Sequence, residues 1–210
     1  MRITEMWAHR FGDKILSNSP EIEELKTGLA SLRLPICVGF KRAPFDVKQG
    51  LLNKMIDHVF VTSGWVNQPF IDTRAERESS QQGDFSKTTA DGIKIFVEVE
   101  FGNVASSFRD LYKFNLAYTL DTYDCGVFIL PMRDLAKRID TIQSFEGAKK
   151  LISEARQFTN LPLILIGIDS DPETDLNLLE VRDDVNYWKT YKDSDFDEFI
   201  QENRDLLFIN

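Results

Sequence analysis

Three carboxylate side chains, Asp84, Glu98 and Glu100, lie in one short region of the sequence and could bind a metal ion together. Side chains alternate between the two faces of a β-strand, so Glu98 and Glu100 would share one face. Antiparallel pairing with the preceding strand would place Asp84 beside Glu98. Carboxylates this close repel one another unless a cation or a shared proton compensates their charge. The spacing therefore predicts a site for a hard divalent cation.

Magnesium suits such a site, because it prefers oxygen ligands and combines one or two protein carboxylates with a substrate phosphate. The corresponding chemistry is phosphodiester hydrolysis. Asp84 and Glu98 are predicted to hold the metal, and Glu100 to act as the general base toward the attacking water. The same Glu-x-Glu pattern is also typical of an amphipathic edge strand with two solvated glutamates. The residues alone leave both interpretations open.

A β-hairpin within a larger sheet would position these carboxylates. Strands are predicted at residues 83–87 and 93–101, joined by a turn whose Asp91-Gly92 pair is typical of a hairpin. Apolar runs predict central strands, and helical periodicity predicts helices, one of them apolar on more than one side and expected to be buried against two partners (105–120). The resulting fold class is α/β, a mixed central sheet flanked by helices. The further strands are predicted at 125–130 and 161–168, and the helices from Pro20 to before Pro35 and at 46–60, 105–120, 133–139 and 144–158.

The net charge of −9 argues at first against nucleic-acid binding, since nucleic-acid binders usually carry basic surfaces. The charge is unevenly distributed. Residues 169–210 contain 13 acidic and 4 basic residues and so carry the whole net charge, while residues 1–168 are neutral. A neutral body with a positively lined cleft can bind DNA. Composition therefore permits DNA binding without supporting it.

One domain is expected for residues 1–210, with 169–210 an acidic C-terminal appendage whose aromatic residues predict that it is folded. Cys37 and Cys125 are expected to be free thiols. No apolar run resembles a signal segment or a membrane span, which predicts a cytoplasmic protein.

Several short motifs resemble the BamHI, BglII and BstYI group of type II restriction endonucleases. They occur in the shared order Glu98-Val-Glu-Phe-Gly-Asn103, Ser106-Ser107 and Ile129-Leu-Pro-Met132. The similarity extends to about Asp169. It implies the PD-(D/E)xK nuclease fold, magnesium dependence, and a homodimer that cuts double-stranded DNA at a short palindrome, with GATC-centred sites as the hypothesis. A non-catalytic DNA-binding subunit and a repair or structure-specific nuclease of the same fold are the alternatives.

The resemblance also assigns site residues. Asp84 falls at the family's metal-binding aspartate, with Asp91 as the competing candidate, and Glu98 falls at its metal-binding glutamate. Glu100 falls where relatives have glutamate or glutamine. The lysine usual in the wider superfamily is absent here, and Glu100 would take its place.

Contacts to DNA are expected from the start of one helix and from a loop. Asn103 matches an asparagine that contacts bases in relatives, although it could equally cap the helix. Ser106 and Ser107 follow it. The loop that precedes Ser144 corresponds to a specificity loop of the family or is a polar connector; its candidate residues are Asp140, Thr141, Gln143 and Ser144. Lys113 is among the cations that could contact phosphates.

The resemblance implies two protein partners. Helices 105–120 and 133–139 match the helices through which relatives dimerise. A cognate DNA methyltransferase would protect the host genome without needing to bind this chain.

Overall fold

A mixed β-sheet forms the centre of the computed structural model, which describes residues 1–17, 19–154, 159–191 and 195–209. The strands are β1 (Arg2–His9), β2 (Pro35–Ile36), β3 (Val66–Asn67), β4 (Phe85–Thr88), β5 (Lys94–Val99), β6 (Cys125–Pro131), β7 (Leu163–Asp169) and β8 (Leu176–Asn177). Six of them form the main sheet in the order β1-β7-β6-β5-β4-β3, and β2 pairs with β8. The strands β5, β6 and β7 are parallel, whereas β1, β4 and β3 join antiparallel.

Helices cover both faces of this sheet. They are α1 (Gly12–Ile15), α2 (Pro20–Ser31), α3 (Gln49–Thr62), α4 (Val104–Thr119), α5 (Arg133–Ile139), α6 (Phe145–Glu154), α7 (Leu178–Val181), α8 (Val185–Thr190), α9 (Phe196–Glu202) and α10 (Arg204–Leu207). One core lies between the sheet and α2, α3 and the C-terminal helices, and the other lies between the sheet and α4 and α6. Because side chains alternate between the two faces of β5, Val97 packs in the first core and Phe96 in the second.

The sheet confirms the predicted α/β class. The predicted hairpin occurs as β4 and β5, and β5 lies between β4 and β6 rather than at an edge. The interpretation of two solvated glutamates is wrong, because Glu98 and Glu100 are both buried. The N-terminal strand β1 has no counterpart among the predicted elements. The last four residues of the helix predicted at 144–158 lie outside the described part of the chain.

The prediction that helix α4 is buried against two partners is wrong. Its residues Leu111 and Phe114 pack into the second core, but Phe108, Tyr112 and Tyr118 are exposed. The helix is therefore buried on one face only, and its aromatic residues make it look more buried in sequence than it is in the folded chain.

The acidic C-terminal segment is packed into the first core. Trp188 and Phe196 are fully buried there, β8 pairs with β2, and α9 contacts α3. Several of its charged residues, among them Glu173, Asp183 and Glu202, are exposed, while its aromatic side chains add to the core. None of the described helices is both long and apolar enough to span a bilayer.

Candidate active site

The start of β4 places Asp84 next to Glu98. Phe85 pairs with Val97 in the antiparallel ladder, so Asp84 lies opposite Glu98 at the end of the hairpin. Its Oδ2 accepts a hydrogen bond of 2.7 Å from the backbone N–H of Val99. At Gly83, a Cβ would lie only 1.9 Å from the ring of Phe96, so only glycine lets the chain pass this closely. The sequence Gly83-Asp84 thus brings the aspartate to the strand of the glutamates.

Glu98 is almost completely buried, with 1% of its surface exposed. Its Oε2 accepts a hydrogen bond of 2.9 Å from Nζ of Lys113, whereas Oε1 has no hydrogen-bond partner among the described residues. Burial raises the pKa of Glu98 well above its usual range, and the nearby charges of Asp84 and Asp110 raise it further. Burial also raises the pKa of Asp84. A cation beside them would stabilise the ionised form of both carboxyl groups.

Glu100 belongs to a different part of the cluster. It follows the end of β5, accepts a hydrogen bond from the backbone N–H of Gly102, and lies within hydrogen-bonding reach of Asp110. Burial and this contact with Asp110 raise the pKa of Glu100 to about 9. In this arrangement Glu100 is protonated at neutral pH, so it would have to leave Asp110 before it could act as a base.

The donor set fits a magnesium ion only in part. Within the described part of the chain, no three His, Cys, Asp or Glu side chains converge to form a complete metal site. The three predicted carboxylates instead form an Asp84–Glu98 pair and a separate Glu100–Asp110 pair. The unpartnered Oε1 of Glu98 beside Asp84 suits a cation that uses two protein carboxylates and completes its coordination with water and phosphate.

The competing aspartate, Asp91, lies elsewhere. It is exposed in the turn between β4 and β5, at the opposite end of the hairpin from Glu98. The geometry favours Asp84 as the partner of Glu98.

A cavity of about 200 Å³ opens on the other side of Asp84. Two side chains of α3, Asn53 and Asp57, line it together with Asn67 and Gln68. Burial raises the pKa of Asp57, and the charge of Asp84 adds to this effect. The sequence prediction missed Asn53 and Asp57, although they are spaced four apart on a helix and so share a face.

The residues predicted to contact DNA are partly brought together. A β-bridge joins Asn103 to Ile142, so the predicted specificity loop lies beside the start of α4. Asn103 is exposed and caps α4 by accepting a hydrogen bond of 3.2 Å from Ser106 N–H. In the loop, Asp140 and Thr141 are exposed, Gln143 and Ser144 are half-buried, and Ser144 Oγ accepts a hydrogen bond from Gly147 N–H.

Two residues differ from their predicted roles. Ser107 is buried and donates its hydroxyl hydrogen bond to Val104 O, so it does not face a ligand, whereas Ser106 is half-exposed. Lys113 is also buried and contacts Glu98 and Asp110, so it is not available to DNA phosphates in this conformation.

A family model described as Restriction endonuclease BglII/BglIII matches residues 4–168, well over half of the chain. The chain belongs to this family. Members of this family are sequence-specific DNA endonucleases, so the chain is a nuclease of this kind. The acidic segment from residue 169 onward lies outside the match. No curated protein sequence matches the chain.

Solved structures of BglII share the fold. The crystal structure of BglII complexed with a DNA 16-mer is 18% identical, with a TM-score of 0.67 over 81% of this chain and 79% of that chain. Free BglII is also 18% identical, with a TM-score of 0.58 over 81% of each chain. At this identity the likeness establishes the restriction endonuclease fold and no further property.

Proposed function

We propose that this chain is a magnesium-dependent type II restriction endonuclease of the PD-(D/E)xK class that cuts duplex DNA at a short palindrome, with GATC-centred sites as the first to test. The observation that carries the proposal is the buried, unpartnered Oε1 of Glu98 beside Asp84 in a chain of this family. A buried carboxylate oxygen without a donor is costly, and a cation shared with Asp84, which lies within hydrogen-bonding reach of Glu98, would compensate it.

Asp84 and Glu98 would hold the metal. Bound there, magnesium would polarise the scissile phosphate and activate the attacking water. Side chains of the protein would orient the phosphate and accept the proton of the water. The cavity beside Asp84 is the proposed place of the scissile phosphate, and the amides of Asn53 and Asn67 would orient its oxygens. Glu100 remains the proposed base, provided that it gives up its contact with Asp110.

The surface at the start of α4 is the proposed site where the protein recognises the DNA base sequence. Asn103 and the exposed loop residues Asp140 and Thr141 lie next to one another through the Asn103–Ile142 bridge. Amide and hydroxyl groups can contact base edges in the major groove. We propose that Asn103, Ser106 and the loop from Asp140 to Ser144 determine the recognised sequence.

A homodimer is the proposed assembly, because a two-fold symmetric protein matches a palindromic site. Support comes from α4, where Val104, Phe108 and Tyr112 are exposed four residues apart. These residues form an apolar stripe on one face of the helix.

Cleavage mapping tests the proposal. The purified protein is incubated with sequenced plasmid DNA and Mg²⁺, in parallel with Glu98→Gln, Asp84→Asn and Asp91→Asn, and all DNA ends are sequenced. We expect double-strand breaks at one palindrome from the parent and from Asp91→Asn. Glu98→Gln and Asp84→Asn should each lose at least about 100-fold in rate, as expected when a charge-stabilising group is removed.

Each other outcome has a distinct meaning. Loss of cleavage in Asp91→Asn but not in Asp84→Asn would overturn the assignment of the metal aspartate. Breaks without sequence preference would indicate a repair or structure-specific nuclease. Tight DNA binding without cleavage would indicate a non-catalytic subunit.

A further inference from the structure

Helix α4 inserts two charged side chains into the carboxylate cluster. Asp110 and Lys113 lie three residues apart on the face of α4 that packs against the sheet, and both are buried. Nζ of Lys113 lies 2.9 Å from Oε2 of Glu98 and 3.0 Å from Oδ1 of Asp110. Asp110 in turn contacts Glu100. The two residues connect both proposed catalytic glutamates to one helix.

We propose that Lys113 and Asp110 are positioning residues of the metal site. Lys113 fixes Oε2 of Glu98, and Asp110 holds Lys113 and Glu100 in place. This inference rests on the proposed function, because it concerns the residues that would bind the metal.

The position of Lys113 excludes direct contact with substrate in this conformation. Only 6% of its surface is exposed, and it does not line the cavity beside Asp84. Its ammonium group is directed at two carboxylates. An ammonium group can donate three hydrogen bonds, so one lysine can hold both partners at once. Lys113 therefore acts through Glu98.

The hydrogen bond from Lys113 fixes the orientation of the Glu98 carboxylate. With Oε2 held by Lys113, the carboxylate cannot rotate freely, and Oε1 is left without a partner next to Asp84. A metal ligand held by a second hydrogen bond binds better, and losing such a partner typically costs about 10- to 100-fold in metal affinity or activity.

Charge gives Lys113 a second role. Asp84, Glu98 and Asp110 are three acidic groups near one buried lysine, and Glu100 contacts Asp110. An ion buried without its partner is strongly destabilising. Lys113 therefore allows the cluster to fold before a divalent cation binds.

The test compares thermal unfolding with and without Mg²⁺ in the full chain, using Lys113→Met, Lys113→Arg and Asp110→Asn. Lys87→Met is the matched control, because Lys87 is a half-buried lysine on the same hairpin that pairs with Glu24 at 2.7 Å. We expect Lys113→Met to lower the Tm, and Mg²⁺ to raise the Tm of this variant less than that of the parent, because Glu98 is no longer held in the orientation that binds the metal. Lys87→Met should keep the Mg²⁺ response of the parent.

Cleavage kinetics complete the test. Lys113→Met and Asp110→Asn should each lower kcat by about 10- to 100-fold, with KM for DNA changed by less than about threefold. Lys113→Arg keeps the charge and should recover most of the lost Tm.

An equal Mg²⁺ response in Lys113→Met and the parent would overturn the positioning role, as would an unchanged kcat. If Lys113→Met does not fold, Asp110→Asn must show the kcat loss, or the proposal fails. A parent that binds Mg²⁺ without cutting DNA refutes the proposed function, but leaves the positioning role to be decided by the Tm measurements.

Discussion

At the scale of single residues, Glu100 and Asp110 show what burial does to neighbouring carboxyl groups. Glu100 is 4% exposed, and its pKa is raised to about 9 by burial first and by Asp110 second. The folded chain therefore binds a proton that the unfolded chain releases at its ordinary pKa of 4.5. Stability from this proton is present at low pH and is lost as the pH rises from about 4.5 toward 9.

Glu100→Gln should remove this pH dependence. The amide keeps the shape of the side chain without a titrating proton, so its free energy of unfolding should fall less than that of the parent between about pH 5 and pH 9. Urea unfolding at several pH values, with metal chelated, measures the difference. Glu154→Gln serves as the control because Glu154 is exposed. A parent and a Glu100→Gln variant with parallel pH profiles would contradict the assigned protonation.

At the scale of elements, the junction between β5 and α4 combines a helix cap with the proposed contact to DNA bases. Asn103 follows the proposed catalytic residues, caps α4 and pairs with Ile142 of the proposed specificity loop. Asparagine and aspartate cap helices about equally well, but only the asparagine amide can both donate to and accept from a base edge.

Asn103→Asp should therefore separate the two roles. Its stability in urea should stay within about 0.5 kcal/mol of the parent, whereas Asn103→Ala should lose about 1 kcal/mol. Both variants should lose at least about tenfold in kcat/KM on the recognised sequence, since a good base contact is worth about 1–3 kcal/mol. The control is Asn177→Asp, which alters the N-cap of α7. Full cleavage by Asn103→Asp would leave Asn103 with the capping role alone.

The same elements show how far sequence reasoning reaches. The Asp91-Gly92 turn and strand alternation predict the hairpin that joins Asp84 to Glu98, because both are local properties. The contacts of Asp110 and Lys113 depend on how α4 packs across the sheet, which no local pattern specifies. Glu98 and Glu100 both face α4, as strand alternation predicts, but the contact of Glu100 with Asp110 is not a local property. Helical periodicity likewise cannot distinguish an aromatic residue buried in the core from one exposed on the surface, as Phe108 and Tyr112 show.

At the scale of the whole molecule, one helix connects the proposed site to the proposed partner. The inner face of α4 carries Asp110 and Lys113, and its outer face carries the stripe of Val104, Phe108 and Tyr112. Docking a second copy on this stripe would fix α4 and so the side chains that hold Glu98 and Glu100. Dimerisation and metal binding would then stabilise the same helix.

Tyr112→Glu tests this arrangement. Tyr112 is 53% exposed in the middle of α4, and a carboxylate there should disrupt an apolar interface between two copies without disturbing the core. Sedimentation at micromolar concentration should give a dimer for the parent and a monomer for Tyr112→Glu, and the monomer should lose double-strand cleavage. Val61→Glu is the control, because Val61 is comparably exposed, at 48%, but lies on α3, which packs on the opposite face of the sheet. A dimeric Tyr112→Glu, or a parent that stays monomeric with and without DNA, would place the interface elsewhere or remove it.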